Sequence, residues 1–158
     1  MKVDAPIRVR RAVPDEAPAL TEVALRSKAY WGYDARFMAA ARHDLEFRPE
    51  DFSTLEAYVL EVSGRMAGFF SLRPLSAEGI ELHDLWIEPK FIGTGYGKML
   101  WLHAIDLARA RGFRLLRLTA DPNAELFYLR HGATRIGDEP SSIRAERRMP
   151  VLQYKLVD

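Results

Sequence analysis

At 158 residues the chain is most simply one domain, residues 1–158, long enough to bury a core without staples. It contains no cysteine, which excludes a disulfide framework, a thiolate nucleophile and a cysteine-based zinc site. A net charge of +1 argues against nucleic acid as a partner, and no apolar run resembles a signal peptide or a membrane span, so a cytoplasmic setting away from membrane is expected.

In chain order, Ile7–Arg11 alternates and reads as a first strand. Pro14-Asp15-Glu16 opens a helix, with Asp15 as its N-cap and Leu20, Val23 and Ala24 as its apolar stripe. Lys28–Asp34 interrupts that pattern with Tyr30, Trp31 and Tyr33 around Gly32. Asp34 then caps a second helix through about Leu45, with Phe37, Met38 and Ala41 on one face. Pro49 prevents simple continuation. Ala57–Val62 and Met66–Leu72 are β-rich runs joined by Ser63-Gly64, a hairpin turn. Pro74–Gly79 is a longer turn and Ile80–Ile87 a further strand. A helix runs from Gly97 to the stop signal Gly112, followed by a strand at Arg114–Ala120. Pro122–Arg130 is a short helix, and Ala133–Ile136 and Val151–Leu156 are closing strands. This order of a hairpin meander followed by a βαβ crossover predicts a mixed sheet with helices on both faces.

Between the Ile80–Ile87 strand and the next helix lies Gly93-Thr94-Gly95-Tyr96-Gly97, with glycine at three of five positions. Glycines let the backbone take conformations a Cβ forbids and let a ligand approach the main chain. At a helix N-terminus, with its unpaired N–H groups and positive dipole end, such a loop is suited to phosphate. A P-loop requires Ser or Thr after Gly-Lys, and here Met99 follows Lys98. A dinucleotide fingerprint requires two residues between its later glycines and an acidic residue about 20 positions on; here one residue separates Gly95 from Gly97, and Arg117 stands at the second place.

The stretch Pro89–Leu100, PKFIGTGYGKML, closely resembles the acyl-CoA loop of the GNAT superfamily of N-acetyltransferases. In that family the loop reads Gln or Arg, two residues, Gly, one residue, then Gly or Ala. Gly95 and Gly97 match the small positions, while Ile92 departs from the pattern where a polar side chain is usual. Leu85-Trp86-Ile87 looks like the family strand whose backbone pairs with pantetheine, and Asp121–Ala133 resembles the second half of the signature: an Asn, then Phe-Tyr, then Gly. The resemblance implies a GNAT-like α/β (α+β mixed) fold, a central twisted mixed sheet of about six to seven strands flanked by helices on both faces.

It also implies transfer of acetyl from acetyl-CoA to an amine in a ternary complex. The cofactor-binding residues implied are Leu85, Trp86, Ile87, Ile92, Gly93, Thr94, Gly95, Tyr96, Gly97, Lys98, Asn123 and Tyr128. Backbone N–H groups of Gly93–Lys98 would take the pyrophosphate, aided by Lys90 or Lys98 or with both lysines merely solvated. The strands would splay after Ile87 and around Thr119–Ala120. Asn123 matches the residue that bonds the pantetheine arm, and also suits a helix N-cap. Tyr128 matches the tyrosine that protonates the departing thiolate. Glu81 and His83, two apart on one strand, point to one face and are candidate bases; Asp84 is expected on the other. Tyr30, Trp31 and Tyr33 are candidate substrate-binding residues, or a helix–helix staple.

No metal is expected, since His43, His83, His103 and His131 lack ligand spacing. Arg144, Arg147 and Arg148, interrupted by Glu146, read as solvated surface. The expected partner is a small-molecule or amino-acid-like amine, the alternatives being a protein lysine or N-terminal amine, or a CoA-binding module without catalysis. The closing strands offer a surface for a homodimer.

Overall fold

The computed structural model describes residues 6–157. Seven strands form one mixed sheet in the order β1-β2-β3-β4-β5-β7-β6. They are β1 (Ile7–Arg11), β2 (Glu56–Val62), β3 (Arg65–Pro74), β4 (Gly79–Ile87), β5 (Leu115–Thr119), β6 (Thr134–Pro140) and β7 (Arg148–Lys155). Among the described residues only β4 and β5 run parallel; every other neighbour pair is antiparallel. The helices are α1 (Ala17–Ala29), α2 (Ala35–Leu45), α3 (Tyr96–Ala110) and α4 (Glu125–Arg130).

Strand alternation makes two cores. Leu60, Phe70, Leu72 and Leu82 pack with Leu100 and Trp101 of α3 and Tyr128 of α4. On the opposite face Ala57, Val59 and Phe69 pack with Leu20, Val23 and Ala24 of α1. Ser63 and Gly64, at φ 53° and 76°, make the tight turn between β2 and β3 as expected.

Three expectations need correction. The first helix is preceded by a separate 3₁₀ turn, Pro14–Glu16, and Asp15 does not cap it. Glu16 does the capping instead: its Oε1 accepts from the Val13 N–H at 3.0 Å, and the same carboxylate is gripped by Arg10. The cap at Pro122 is Asp121 rather than Asn123; its side chain accepts from the Asn123 N–H at 2.9 Å. The closing strands extend toward one another beyond their expected bounds. Every residue of edge strand β6 is exposed, so its pairing is set by backbone bonds to β7 and leaves no apolar alternation to read.

Gly68 on β3 faces β4 with no room for a side chain. A Cβ there would lie 2.6 Å from the Trp86 carbonyl oxygen and 2.7 Å from Ile87 Cδ1. A backbone carbonyl cannot swing aside, so Gly68→Ala forces the two strands apart. The expected loss is about 1–3 kcal/mol, as for other overpacked sites, read as a lower urea midpoint; an unchanged midpoint contradicts this packing.

Candidate active site

β4 and β5 hold together only at Gly79↔Leu115, Ile80↔Leu116 and Glu81↔Arg117. Opening therefore begins deeper than the expected point after Ile87. The local cause is a β-bulge: pairing with β3 steps from Ser71↔Asp84 to Leu72↔Leu82, leaving His83 as the extra residue. The bulge also corrects the placement of Asp84. Phe69, Ser71 and Arg73 alternate onto one face of β3, and their partners Trp86, Asp84 and Glu81 follow them. Asp84 thus shares a face with Glu81, accepting from Ser71 Oγ at 2.6 Å and Trp86 Nε1 at 3.1 Å.

The divergence creates a cavity of about 480 Å³. One wall is β4 from Leu82 to Ile87, and the other is Leu118–Asp121 at the end of β5. Phe127, Tyr128 and His131 of α4 border it, and the glycine loop closes one end through Ile92, Gly93, Gly95, Gly97 and Lys98. Gly93 and Gly95 have φ of 84° and 91°, a backbone region that excludes most side chains, and a Cβ on either would meet nothing within 4 Å. A Cβ on Gly97 would touch the Phe127 ring at 3.4 Å, where α3 packs on α4. The first-turn N–H groups of α3 have no helical partners, so the loop forms an open cradle of donors fitted to a phosphate-bearing ligand.

Among the residues expected to hold cofactor, Leu85, Trp86, Ile87, Ile92, Gly93, Gly95, Gly97, Lys98, Asn123 and Tyr128 all border the cavity. Thr94 and Tyr96 are not part of its lining. The Thr94 hydroxyl turns back onto the Phe91 carbonyl, and the Tyr96 ring packs on Phe91 with centroids 5.4 Å apart. Ile92 spends its side chain on the core cluster.

Tyr128 is 6% exposed, and its hydroxyl makes no hydrogen bond among the described residues. Burial, reinforced by the Asp84 charge, pushes its phenol well above the ordinary tyrosine range, so it stays protonated. Glu81 and His83 meet directly, with His83 Nδ1 2.9 Å from Glu81 Oε1. His83 borders the cavity, whereas Glu81 stands behind it, also held by Arg73 Nε at 3.1 Å. The hydrogen bond to Glu81 raises the His83 imidazole against an opposing effect of burial. Burial alone would raise the Glu81 carboxyl, but His83 and Arg73 hold it below its ordinary value.

The aromatic trio divides. Tyr30 is exposed, with its ring 5.3 Å from that of Trp31, while Trp31 borders the cavity. Tyr33 is turned inward. Its hydroxyl donates to Asp121 at 2.9 Å and accepts from Asn123 Nδ2 at 2.9 Å and from Arg147. Burial and the bond to Asp121 push its phenol up to about 12.

Asp121 is the hub of a buried network that sequence reading missed. Lys28 Nζ donates to its Oδ2 at 3.0 Å, and Arg147 Nη2 reaches the same oxygen at 3.3 Å. Burial alone would raise the Asp121 carboxyl, but the Lys28 charge, the Asn123 backbone N–H and its other donors hold it below the ordinary value. Arg147 is therefore not solvated surface; its side chain is 17% exposed. Arg148, by contrast, reaches outward to Asp138. A signal existed for Lys28, which falls four residues after Ala24 on the buried stripe of α1. No spacing links it to Asp121 or Arg147.

The acetyltransferase (GNAT) family model matches residues 22–133. No curated protein matches the chain in sequence. Solved structures share its fold. PaiA N-acetyltransferase from Thermoplasma acidophilum, in complex with coenzyme A, has a TM-score of 0.78 at 19% identity, over 95% of this chain and 99% of that one. A GNAT family acetyltransferase from Elizabethkingia anophelis with acetyl-CoA bound has a TM-score of 0.70 at 14% identity, over 94% and 97%. The ribosomal-protein-S18-alanine N-acetyltransferase of Escherichia coli has a TM-score of 0.72 at 16% identity, over 97% and 96%.

Proposed function

The chain belongs to the acetyltransferase (GNAT) family, and from that premise we propose that it is an N-acetyltransferase. It moves the acetyl group of acetyl-CoA to a primary amine of a small-molecule or amino-acid-like acceptor, by direct attack in a ternary complex. One observation carries this reading: a single cavity joins the glycine cradle at one end to Tyr128 and His83 further in.

Bound acetyl-CoA supplies an activated thioester, and residues of this chain do the rest. Backbone N–H groups of Gly93 and Gly95–Lys98 hold the pyrophosphate at the α3 N-terminus, the Thr94 N–H being given to the Phe91 carbonyl at 3.2 Å. Unpaired backbone groups of Leu85–Ile87, past the last β4–β5 pair, take the pantetheine arm as an added strand. Asn123 uses its Nδ2 on Tyr33 and Asp121, which leaves its Oδ1 for that arm. Attack by the amine nitrogen forms the C–N bond and breaks C–S; Tyr128 then protonates the thiolate. His83, backed by Glu81, takes the proton that the acceptor ammonium must lose.

Two measurements test this reading. Acetyl-CoA should raise the melting temperature at saturation, and free thiol should appear only when an accepted amine is present. A melting rise without turnover for any amine would favour a CoA-binding module, the reading that Ile92 in place of a polar loop residue supports. A pH profile tests the base. His83 accepts a proton only when neutral, and its pKa is raised, so the acidic limb of kcat/KM should lie above the ordinary histidine value of about 6.5. Glu81→Gln should move that limb down; an unmoved limb removes the pair from the step. The sign for stability is fixed by the same shift. The Glu81–His83 bond contributes fully below the unfolded pKa of about 6.5 and is lost as pH rises through the folded value.

A further inference from the structure

Beside the acyl channel lies a second cavity of about 190 Å³, and Thr119 at the end of β5 borders both. Its charged groups are sorted by depth. The inner wall has Lys28, 5% exposed, and Arg147; the exposed rim has Asp44 of α2 and Glu139 of β6.

On the inner side two cations share one carboxylate, that of Asp121, so among the described residues one positive charge has no carboxylate of its own within 4.0 Å. Lys28 Nζ makes a single hydrogen bond among the described residues, and the rings of Tyr33 and Trp86 lie 5.2 and 5.9 Å from it. On the rim the reverse holds. Neither carboxylate has a cation within 4.0 Å among the described residues: Glu139 Oε1 accepts from Thr119 Oγ1 at 2.9 Å, and Asp44 accepts from Ser142. An uncompensated cation this deep is costly, and a ligand carboxylate would relieve it while using the spare N–H donors. Glu139, tied to Thr119, sets negative charge at the junction with the acyl channel, where an acceptor ammonium must arrive.

We propose that this second cavity is the acceptor subsite and that it selects an amino acid, with the carboxylate toward Lys28 and Arg147 and the amine toward Glu139 and Thr119. This rests on the N-acetyltransferase reading and deepens it. At about 30 Å³ per water the cavity holds roughly six waters, the size of a small amino acid. The reaction balances without a further reactant. The acceptor ammonium gives up two protons as its nitrogen bonds the acetyl carbon and the C–S bond breaks; one passes through His83 to solvent, and the other replaces the proton that Tyr128 gives to the thiolate leaving group.

The test compares kcat/KM for free amino acids, their carboxamides and their decarboxylated amines, in wild type, Arg147→Met and Arg147→Lys. Arg147→Met leaves the Lys28–Asp121 pair balanced, so the fold should survive, which the melting temperature checks. Wild type should prefer amino acids over both analogues at least tenfold. Arg147→Met should bring that ratio within about twofold, and Arg147→Lys should retain most of it. Turnover of carboxamides or decarboxylated amines at least as fast as amino acids overturns the proposal while leaving the enzymatic reading intact, as does a preference that survives Arg147→Met. Absence of turnover with every acceptor overturns both.

Discussion

Tyr128→Phe is expected to lower kcat about 100-fold while leaving acetyl-CoA affinity within about threefold. The ring is fixed edge-on to Trp101 and Phe127, with centroids 5.4 and 5.1 Å away, and phenylalanine keeps those contacts. What it loses is a hydroxyl with no hydrogen-bond partner among the described residues, beside the channel that receives the thioester. Because burial and Asp84 keep that phenol protonated, the group is a donor across the working pH range, and in the proposed reaction its loss would leave the departing thiolate unassisted. Steady-state kinetics with chemistry rate-limiting separates the two parameters. An unchanged kcat would remove Tyr128 from the mechanism; a raised KM with unchanged kcat would make it a binding residue.

Asp121→Ala should be the most damaging single change outside the hydrophobic core, at about 3–5 kcal/mol, because it leaves Lys28 and Arg147 buried together without a counter-ion. It also releases Asn123, whose backbone N–H and Nδ2 both donate to the lost carboxylate, so the folded fraction should bind acetyl-CoA more weakly. Urea denaturation measures the first effect, and a midpoint within error of wild type would show that the network carries no stability. The depressed Asp121 pKa gives a matching acid signature. Its contribution is present above the unfolded value of about 3.9 and is lost as pH falls through the lower folded value.

The glycine loop, the hairpin turn and the order of elements along the chain were legible because each rests on local rules. Gly93 and Gly95 occupy left-handed backbone, Ser63-Gly64 turns tightly, and Asp34 caps α2 through the Phe37 N–H at 2.7 Å. Tyr128 and Asn123 were reached through a resemblance, and both border the cavity. What was not legible depends on contacts between distant segments. The bulge at His83 changes which side chains share a face, and no residue pattern within β4 announces it. Arg147 looked like one of several surface arginines, yet β7 and the loop before it carry it onto Asp121, 26 positions away in sequence. Spacing put Glu81 and His83 side by side, but only the fold separates the residue at the channel from the one behind it.

The central claim is that the channel between the splayed strands holds acetyl-CoA for transfer to an amine. Free thiol and acetylated amine, followed together by absorbance and mass spectrometry across an amine panel, test it most directly. The expected result is equimolar thiol and N-acetyl product, dependent on the amine and much reduced in Tyr128→Phe. Failure of acetyl-CoA to raise the melting temperature, together with no amine-dependent thiol for any acceptor, would contradict it.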